Sequence, residues 1–310
     1  MRLMVWPTLL LFGMLTLAWL ALHWVILPHI QEWRANIEAR ASTALGVPVL
    51  IGRIAVRSQG WVPRIDLSDV QVLDALNRPA LQLPRVSIAI SPQSLMDLRI
   101  NFDQLLIEGA QLEVRRDRAG KIFVAGLDIS GGPGEDQAAA DWFFAQQEFV
   151  IRGGTLRWTD ELTDAPPLAL RDVALVMRNG LLQHDFRLDA TPPSEWGDRF
   201  SLRGRFTQPF FAAAGQWQRW SGSSYLELPR ADLHELRRYA RLPFELSEGL
   251  GAIRGWVDWR DGAPVAATAD LALSQVVMRL APDVELLRIE QLLGRVEGQR
   301  DAQEIGRAHV

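Results

Sequence analysis

The sequence predicts a mainly β protein: an N-terminal transmembrane helix, then an elongated, twisted antiparallel β-sheet with a few short helices. Three observations predict it. The chain opens on a charge-free apolar stretch, Leu3 to Leu27. From Val49 onward the hydrophobic period is two. Short sequence units also recur along the body, as they do when a sheet grows by adding similar pieces.

The apolar stretch comes first. A helix rises about 1.5 Å per residue, so Leu3–Leu27 spans roughly 37 Å, enough to cross a hydrocarbon core with some tilt. More than half of its residues are Leu, Ile, Val or Phe, each favouring insertion by about 0.3 to 0.6 kcal/mol. Leu3, Leu10, Leu15, Leu20 and Leu27 are the candidate anchor residues. Pro7 sits in the first turn, where it costs little. Trp6, Trp24 and Trp33 fall near the expected interfaces. The rival reading is a cleaved signal peptide, whose apolar region is usually roughly 7–15 residues behind a basic start. This stretch is longer, only Arg2 precedes it, and no good Ala-x-Ala site follows. Arg2 on one side and Arg34 and Arg40 on the other leave the orientation open.

Pro28–Ala44 reads as an amphipathic helix, with Ile30, Trp33, Ile37, Ala41 and Ala44 at three- and four-residue spacing. Gly46 and Pro48 end it. Alternation then marks half-buried strands: Val86, Ile88 and Ile90; Phe186, Leu188 and Ala190; Phe200, Leu202, Gly204 and Phe206; Ile253, Gly255, Val257 and Trp259. Asn77-Arg78-Pro79, Asp117-Arg118-Ala119-Gly120 and Asp261-Gly262 are turn signals. Gly131–Ala140 reads as a flexible linker, Asp141–Gln147 as a short helix and Ala231–Ala240 as a later helix. Ile107-Glu-Gly-Ala-Gln-Leu-Glu-Val114 repeats as Ile151-Arg-Gly-Gly-Thr-Leu-Arg-Trp158, and Leu67-Ser-Asp-Val70 as Leu170-Arg-Asp-Val173. In the second pair the apolar phase slips at Asp-Val, which predicts a β-bulge. The expected organisation is an anchor over 1–29, a helix and first β-segment over 30–130, a linker over 131–147, a second β-segment over 148–303, and a tail over 304–310.

Composition narrows the chemistry. The chain has 310 residues, a net charge of −4, 48% hydrophobic residues and no cysteine. Disulfides, thiolate metal sites and cysteine nucleophiles are therefore absent. The charge offers no basic stripe for nucleic acid. Five histidines, His23, His29, His184, His234 and His309, show no metal-binding spacing. No phosphate-binding glycine motif or nucleophile elbow occurs, and Pro133 with Glu135-Asp136 spoils the glycine run at Gly131. Asp66, Asp69 and Asp74, with Asp160-Glu161 and Asp258 with Asp261, read as solvent-facing strand and turn residues. No catalytic, metal or cofactor site is expected.

An apolar sheet face must be covered by helices, a second sheet, a membrane or a ligand. The expected helices are too few to cover ten or more strands. A long groove open to lipid chains would resolve the deficit; a closed β-sandwich packed on itself would resolve it equally well.

The order of motifs resembles a known family. Gln31–Leu45 is followed by Gly46-Val-Pro-Val49, Pro63-Arg-Ile-Asp-Leu-Ser-Asp-Val70, Pro92-Gln-Ser-Leu95 and Leu105-Leu-Ile-Glu-Gly109. Ile151–Asp160, Leu168–Val173 and Ile253–Gly262 complete the set. The chain looks like the N-terminal part of an AsmA-like protein of the YhdP type with its DUF3971 region. The resemblance implies an inner-membrane anchor in a Gram-negative bacterium and a body in the periplasm. It also implies an open apolar β-groove that carries phospholipids toward the outer membrane. It carries over no catalytic residue. Its implied partners are the bilayer and lipid acyl chains. Candidate groove-lining residues are Phe200, Leu202, Phe206, Leu226, Leu228, Ile253, Val257 and Trp259. The alternative is a structural or regulatory envelope protein whose closed β-core binds another protein; a membrane-anchored hydrolase ranks last. The closing residues Glu304–Val310 can be encoded by GAG ATC GGA AGA GCA CAC GTC, the start of a common sequencing adapter, so this tail is expected to be non-native.

Overall fold

The computed structural model describes residues 13, 16, 31–45, 47–58, 63–74, 77–90, 102–124, 127–128, 141, 143–163, 165–237, 245–279, 284–301 and 304–309. Apart from Gly13 and Thr16, the expected span lies outside the described residues. Among the described residues no helix is long and apolar enough to cross a membrane.

The body opens on helix α1, Arg34–Leu45, and three strands, β1 (Val49–Ser58), β2 (Pro63–Leu73) and β3 (Pro79–Ile90). Shorter strands follow: β4 (Phe102–Glu108), β5 (Gln111–Arg116), β6 (Ile122–Val124) and β7 (Leu127–Asp128). The long central strands are β8 (Glu148–Asp160), β9 (Ala165–Asn179), β10 (Gln183–Thr191), β11 (Phe200–Thr207) and β12 (Ser221–Asp232). One helical turn, α2 (Leu233–Leu236), precedes β13 (Glu245–Arg260), β14 (Ala263–Arg279), β15 (Leu287–Asp301) and β16 (Glu304–His309). Among the described residues all belong to one sheet of 16 strands.

The expected turns hold. Asn77, Gly120 and the Asp261-Gly262 pair take positive φ, as tight turns require. The later helix is shorter than expected. Ala231 and Asp232 stay in β12, and the Asp232 carboxylate accepts the His234 backbone N–H at 2.9 Å, so the helix starts only after it.

Among the described residues pairing is antiparallel except where β8 lies parallel to β4 and β5. The chain leaves β5 through β6, β7 and the segment before β8, and returns to lay β8 alongside, as a parallel pair demands of a long crossover. β4 and β5 act as one strand interrupted at Gly109-Ala110. Both keep the same 44-residue offset to β8, from Leu105 with Phe149 to Arg116 with Asp160. The sequence repeat has the same offset. Ile107 therefore pairs with Ile151, Leu112 with Leu156 and Val114 with Trp158, so the two copies of the unit lie side by side.

A second device crosses the sheet. In β1, β2 and β3 the alternation slips by one residue, so Ile51 and Ile54, Leu67 and Val70, and Leu83 and Val86 all face the same side. The slip continues at Gly109 (φ 72), Gly153 (φ 60) and Asp172 (φ 49). At Asp172 the register shifts against both neighbouring strands, as the bulge reading expects. At Asp69 (φ 56) the backbone turns left-handed while the register holds, from Ser68 with Arg85 to Val70 with Leu83. A third copy emerges: Leu273-Ser-Gln-Val276, with Gln275 at φ 53. Leu67, Leu170 and Leu273 are spaced 103 residues apart each time, and Val70, Val173 and Val276 are all buried. Each slip bends its strand and strengthens its twist.

Two apolar clusters anchor the sheet. One gathers Val49, Ile51, Ile54, Val70, Val86, Leu105, Ile107 and Phe149, with Ile37 and Ala41 of α1 against it. The other packs Leu233 and Leu236 of α2 onto Leu273, Val276 and Ile289.

Candidate functional site

Strand registers decide which side chains share a face. Phe186 pairs with Gly204, Leu188 with Leu202, Leu202 with Leu226, and Leu228 with Ile253. Phe206 pairs with Gly222, which pairs with Trp259; Ser224 pairs with Val257. Ala190 pairs with Phe200. The eight expected residues Phe200, Leu202, Phe206, Leu226, Leu228, Ile253, Val257 and Trp259 therefore all stand on one face. None of the eight is buried and none is fully exposed. A filled core would bury such residues almost completely.

The same face continues beyond them. Toward β8 it carries Leu175, Met177, Phe149, Ile151 and Leu156. Toward β15 it carries Ala269, Leu271 and Leu273, then Val296, Gly294 and Leu292. Period two gave each strand its apolar side, but only the register joins those sides.

Small residues let the rings lie flat. The Phe186 and Phe206 rings stack 6.0 Å apart at 6°. A Cβ on Gly204 would meet Phe186 at 2.4 Å and Phe206 at 2.6 Å. Trp259 donates its indole N–H to Ser224 Oγ at 2.9 Å and lies 6.4 Å from Phe206.

Aromatic side chains gather around His184 at the start of β10. His184 stacks on Trp220 at 3.8 Å, and Phe144 meets Trp220 edge-on at 4.8 Å. Phe143 packs against Phe149. The His184 ring nitrogens contact Asn179 Oδ1 at 2.8 Å and Gln208 Oε1 at 3.0 Å. Burial pushes its pKa below the usual histidine value, against a smaller upward pull from Gln208.

The opposite face is charged. Glu227, Arg254, Asp270 and Arg295 pair in one row across four strands. Arg295 Nε sits 2.6 Å from Asp270, and Arg254 Nε 3.4 Å from Glu227. Arg205 with Asp185 and Arg178 with Glu148 extend the pattern. Opposite charges on directly opposed residues stabilise a wet sheet face modestly. The two faces thus differ in kind: one apolar and half-covered, the other laced with ion pairs.

Two carboxylates depart from the solvent-facing expectation. Asp66 is 7% exposed and accepts from Ser87 Oγ at 2.6 Å. Asp160 is 2% exposed, bonded to Arg116 Nε at 2.9 Å and to the Leu162 N–H at 3.1 Å. The Arg116 hydrogen bond outweighs desolvation and lowers its pKa to about 2. Each pair ties two neighbouring strands together. Asp69 and Asp261 stand exposed at left-handed positions, Asp258 is exposed, and Asp74 closes the Asn77 turn by accepting from the Arg78 N–H at 2.9 Å. His234 bonds through Nδ1 to Ser247 O at 2.8 Å. Among the described residues no group of His, Cys, Asp or Glu could hold a metal ion. Leu3, Leu10, Leu15, Leu20 and Leu27 lie outside the described residues, as does the linker over 131–140.

A family model described as YhdP protein matches residues 1–306. The chain belongs to the YhdP family. That is the family its motif order resembles, and it is not a known enzyme family. A search of curated proteins returns no match.

Proposed function

We propose that this chain is the membrane-proximal part of a lipid-transfer protein. Leu3–Leu27 anchors it in a bacterial inner membrane, the body stands in the periplasm, and phospholipid acyl chains travel along the apolar face toward the outer membrane. The carrying observation is the half-exposed apolar face that runs from β8 to β15 without a second sheet packed on it among the described residues. An acyl chain moving from bilayer to such a face exchanges one apolar surrounding for another. It avoids the cost of about 0.8 kcal/mol for each CH₂ left in water. Headgroups stay wet beyond the strand ends. Family membership supports the same reading. The alternative of a closed β-core that binds another protein requires a filled sandwich, and one sheet with eight half-buried apolar residues on a shared face weighs against it.

The test uses photo-activatable residues at Leu202 and Val257 in the membrane-inserted chain, with Arg203 and Asp258 as controls on the charged face. Lipid adducts at the first pair and not at the second are expected. Adducts absent from both apolar positions, or equal on both faces, would overturn the proposal.

A further inference from the structure

Among the described residues strand β1 pairs with β2 alone, which leaves its other edge without a neighbouring strand. An open edge presents unpaired N–H and C=O groups to any passing strand. Here α1 and the turn before it cover the edge with side chains instead of a strand. Ser42 Oγ accepts the Val49 N–H at 2.8 Å and Glu38 Oε1 accepts the Ile51 N–H at 2.7 Å. Arg34 donates to Gly52 O at 3.2 Å, and Gln31 donates to Ile54 O. Positions 31, 34, 38 and 42 form one helical stripe, and the apolar residues Ile37 and Ala41 beside it pack on the core.

The covered edge is self-complementary. In Val49-Leu-Ile-Gly-Arg-Ile-Ala-Val56 the apolar-side residues mirror each other about the Gly52–Arg53 bond, Val49 answering Val56 and Ile51 answering Ile54, while Leu50 answers Ala55 and Gly52 answers Arg53. Val49, Ile51, Ile54 and Val56 all face the apolar side, because the slip at Gly52 falls at the mirror point. Two copies of β1 laid antiparallel about that point would bring Ile51 opposite the partner's Ile54. Both residues direct backbone groups to the free edge, since those are the groups α1 now holds. The Ile51 N–H of each copy would therefore meet the Ile54 carbonyl of the other, two hydrogen bonds related by the two-fold. Leu50 and Ala55 would face each other as the non-hydrogen-bonded pair, with Cα atoms about 4.5 Å apart. The apolar faces of both sheets would lie on the same side.

We propose that the outer edge of β1 is a pairing surface for a second copy of this chain, and that the polar stripe of α1 keeps it shut. Opening the stripe joins two sheets, edge to edge, into one longer apolar face.

The chain has no cysteine, so introduced thiols report alone. The full chain in detergent, carrying Leu50→Cys and Ala55→Cys, is oxidised mildly with and without Gln31→Ala, Glu38→Ala and Ser42→Ala. The Cα spacing of the expected pair suits a disulfide. A cross-linked dimer is expected when the stripe is removed. It should fall roughly tenfold or more when the stripe is intact, the worth of one or two hydrogen bonds. Leu50→Cys alone should not cross-link in this register. Equal dimer with and without the stripe, equal dimer from Leu50→Cys alone, a cross-link to a different polypeptide, or no dimer in a stripe-less chain of unchanged strand content would each overturn the proposal. If the triple variant loses strand content, Glu38→Ala alone frees the Ile51 N–H, and its dimer yield decides in the same direction.

Discussion

Asp160→Asn is the substitution whose effect the structure sizes most directly. The Asp160 side chain is 1% exposed and its partner Arg116 is 26% exposed, so water screens the pair little. Arg116 also lies 5.8 Å from the Trp158 ring, which fixes its plane. The carboxyl pKa falls from 3.8 to about 2, with the Arg116 hydrogen bond as the main cause. A fall of that size corresponds to about 2 kcal/mol of folding stability at neutral pH. The sign follows from the direction. A depressed folded pKa gives stability that is present above the unfolded value near pH 4 and lost as pH falls through about 2. Asparagine keeps the shape and removes the charge. Urea titrations of the parent chain and Asp160→Asn, repeated from pH 7 to pH 2, should differ by about 2 kcal/mol at pH 7 and converge near pH 2. Other carboxylates titrate in both proteins, so the difference isolates Asp160. A constant difference across the whole range, or none at pH 7, would refute the reasoning.

Further outcomes follow from the same geometry. Asp172→Gly relieves a left-handed backbone at φ 49 and should stabilise the chain or leave it unchanged, whereas Asp172→Val should cost about 1–2 kcal/mol by thermal melting. Gly204→Ala drives a methyl group into the stacked Phe186 and Phe206 rings and should cost about 1–3 kcal/mol, with loss of near-ultraviolet aromatic signal. Burial lowers the His184 pKa, so its contribution to stability is full above its unfolded value near pH 6.5 and declines as pH falls below it. Replacing His184 with Gln should flatten the stability curve between pH 7 and pH 5, measured by melting temperature.

Local chemistry made much of this fold legible. Period two placed Phe200, Leu202 and Phe206 on one side of β11, and Ile253, Val257 and Trp259 on one side of β13, because side chains alternate across any strand. Asn77, Gly120 and Asp261 announced their turns through residues that tolerate positive φ. What lay outside the sequence pattern was non-local. The parallel return of β8 depends on a crossover, and the repeat that β8 shares with β4 and β5 shows likeness without saying that the two copies pair. The third left-handed slip carries no such signal, because Gln275 stands where the other two copies have aspartate. Asp160 looked like an ordinary turn residue because its partner Arg116 lies 44 positions away. The apolar spacing of α1 shows which side packs on the core, but not that its polar residues Glu38 and Ser42 hold the edge of β1.

The central claim is that lipid chains occupy one face of this sheet, and β11 offers its most direct measurement. Photo-activatable residues placed singly at each position from Phe200 to Phe206 sample the two faces in turn. Lipid adduct yield in the membrane-inserted chain should alternate with period two, high at Phe200, Leu202 and Phe206 and low at Ser201, Arg203 and Arg205. A flat profile, or one that peaks on the charged face, would contradict the account.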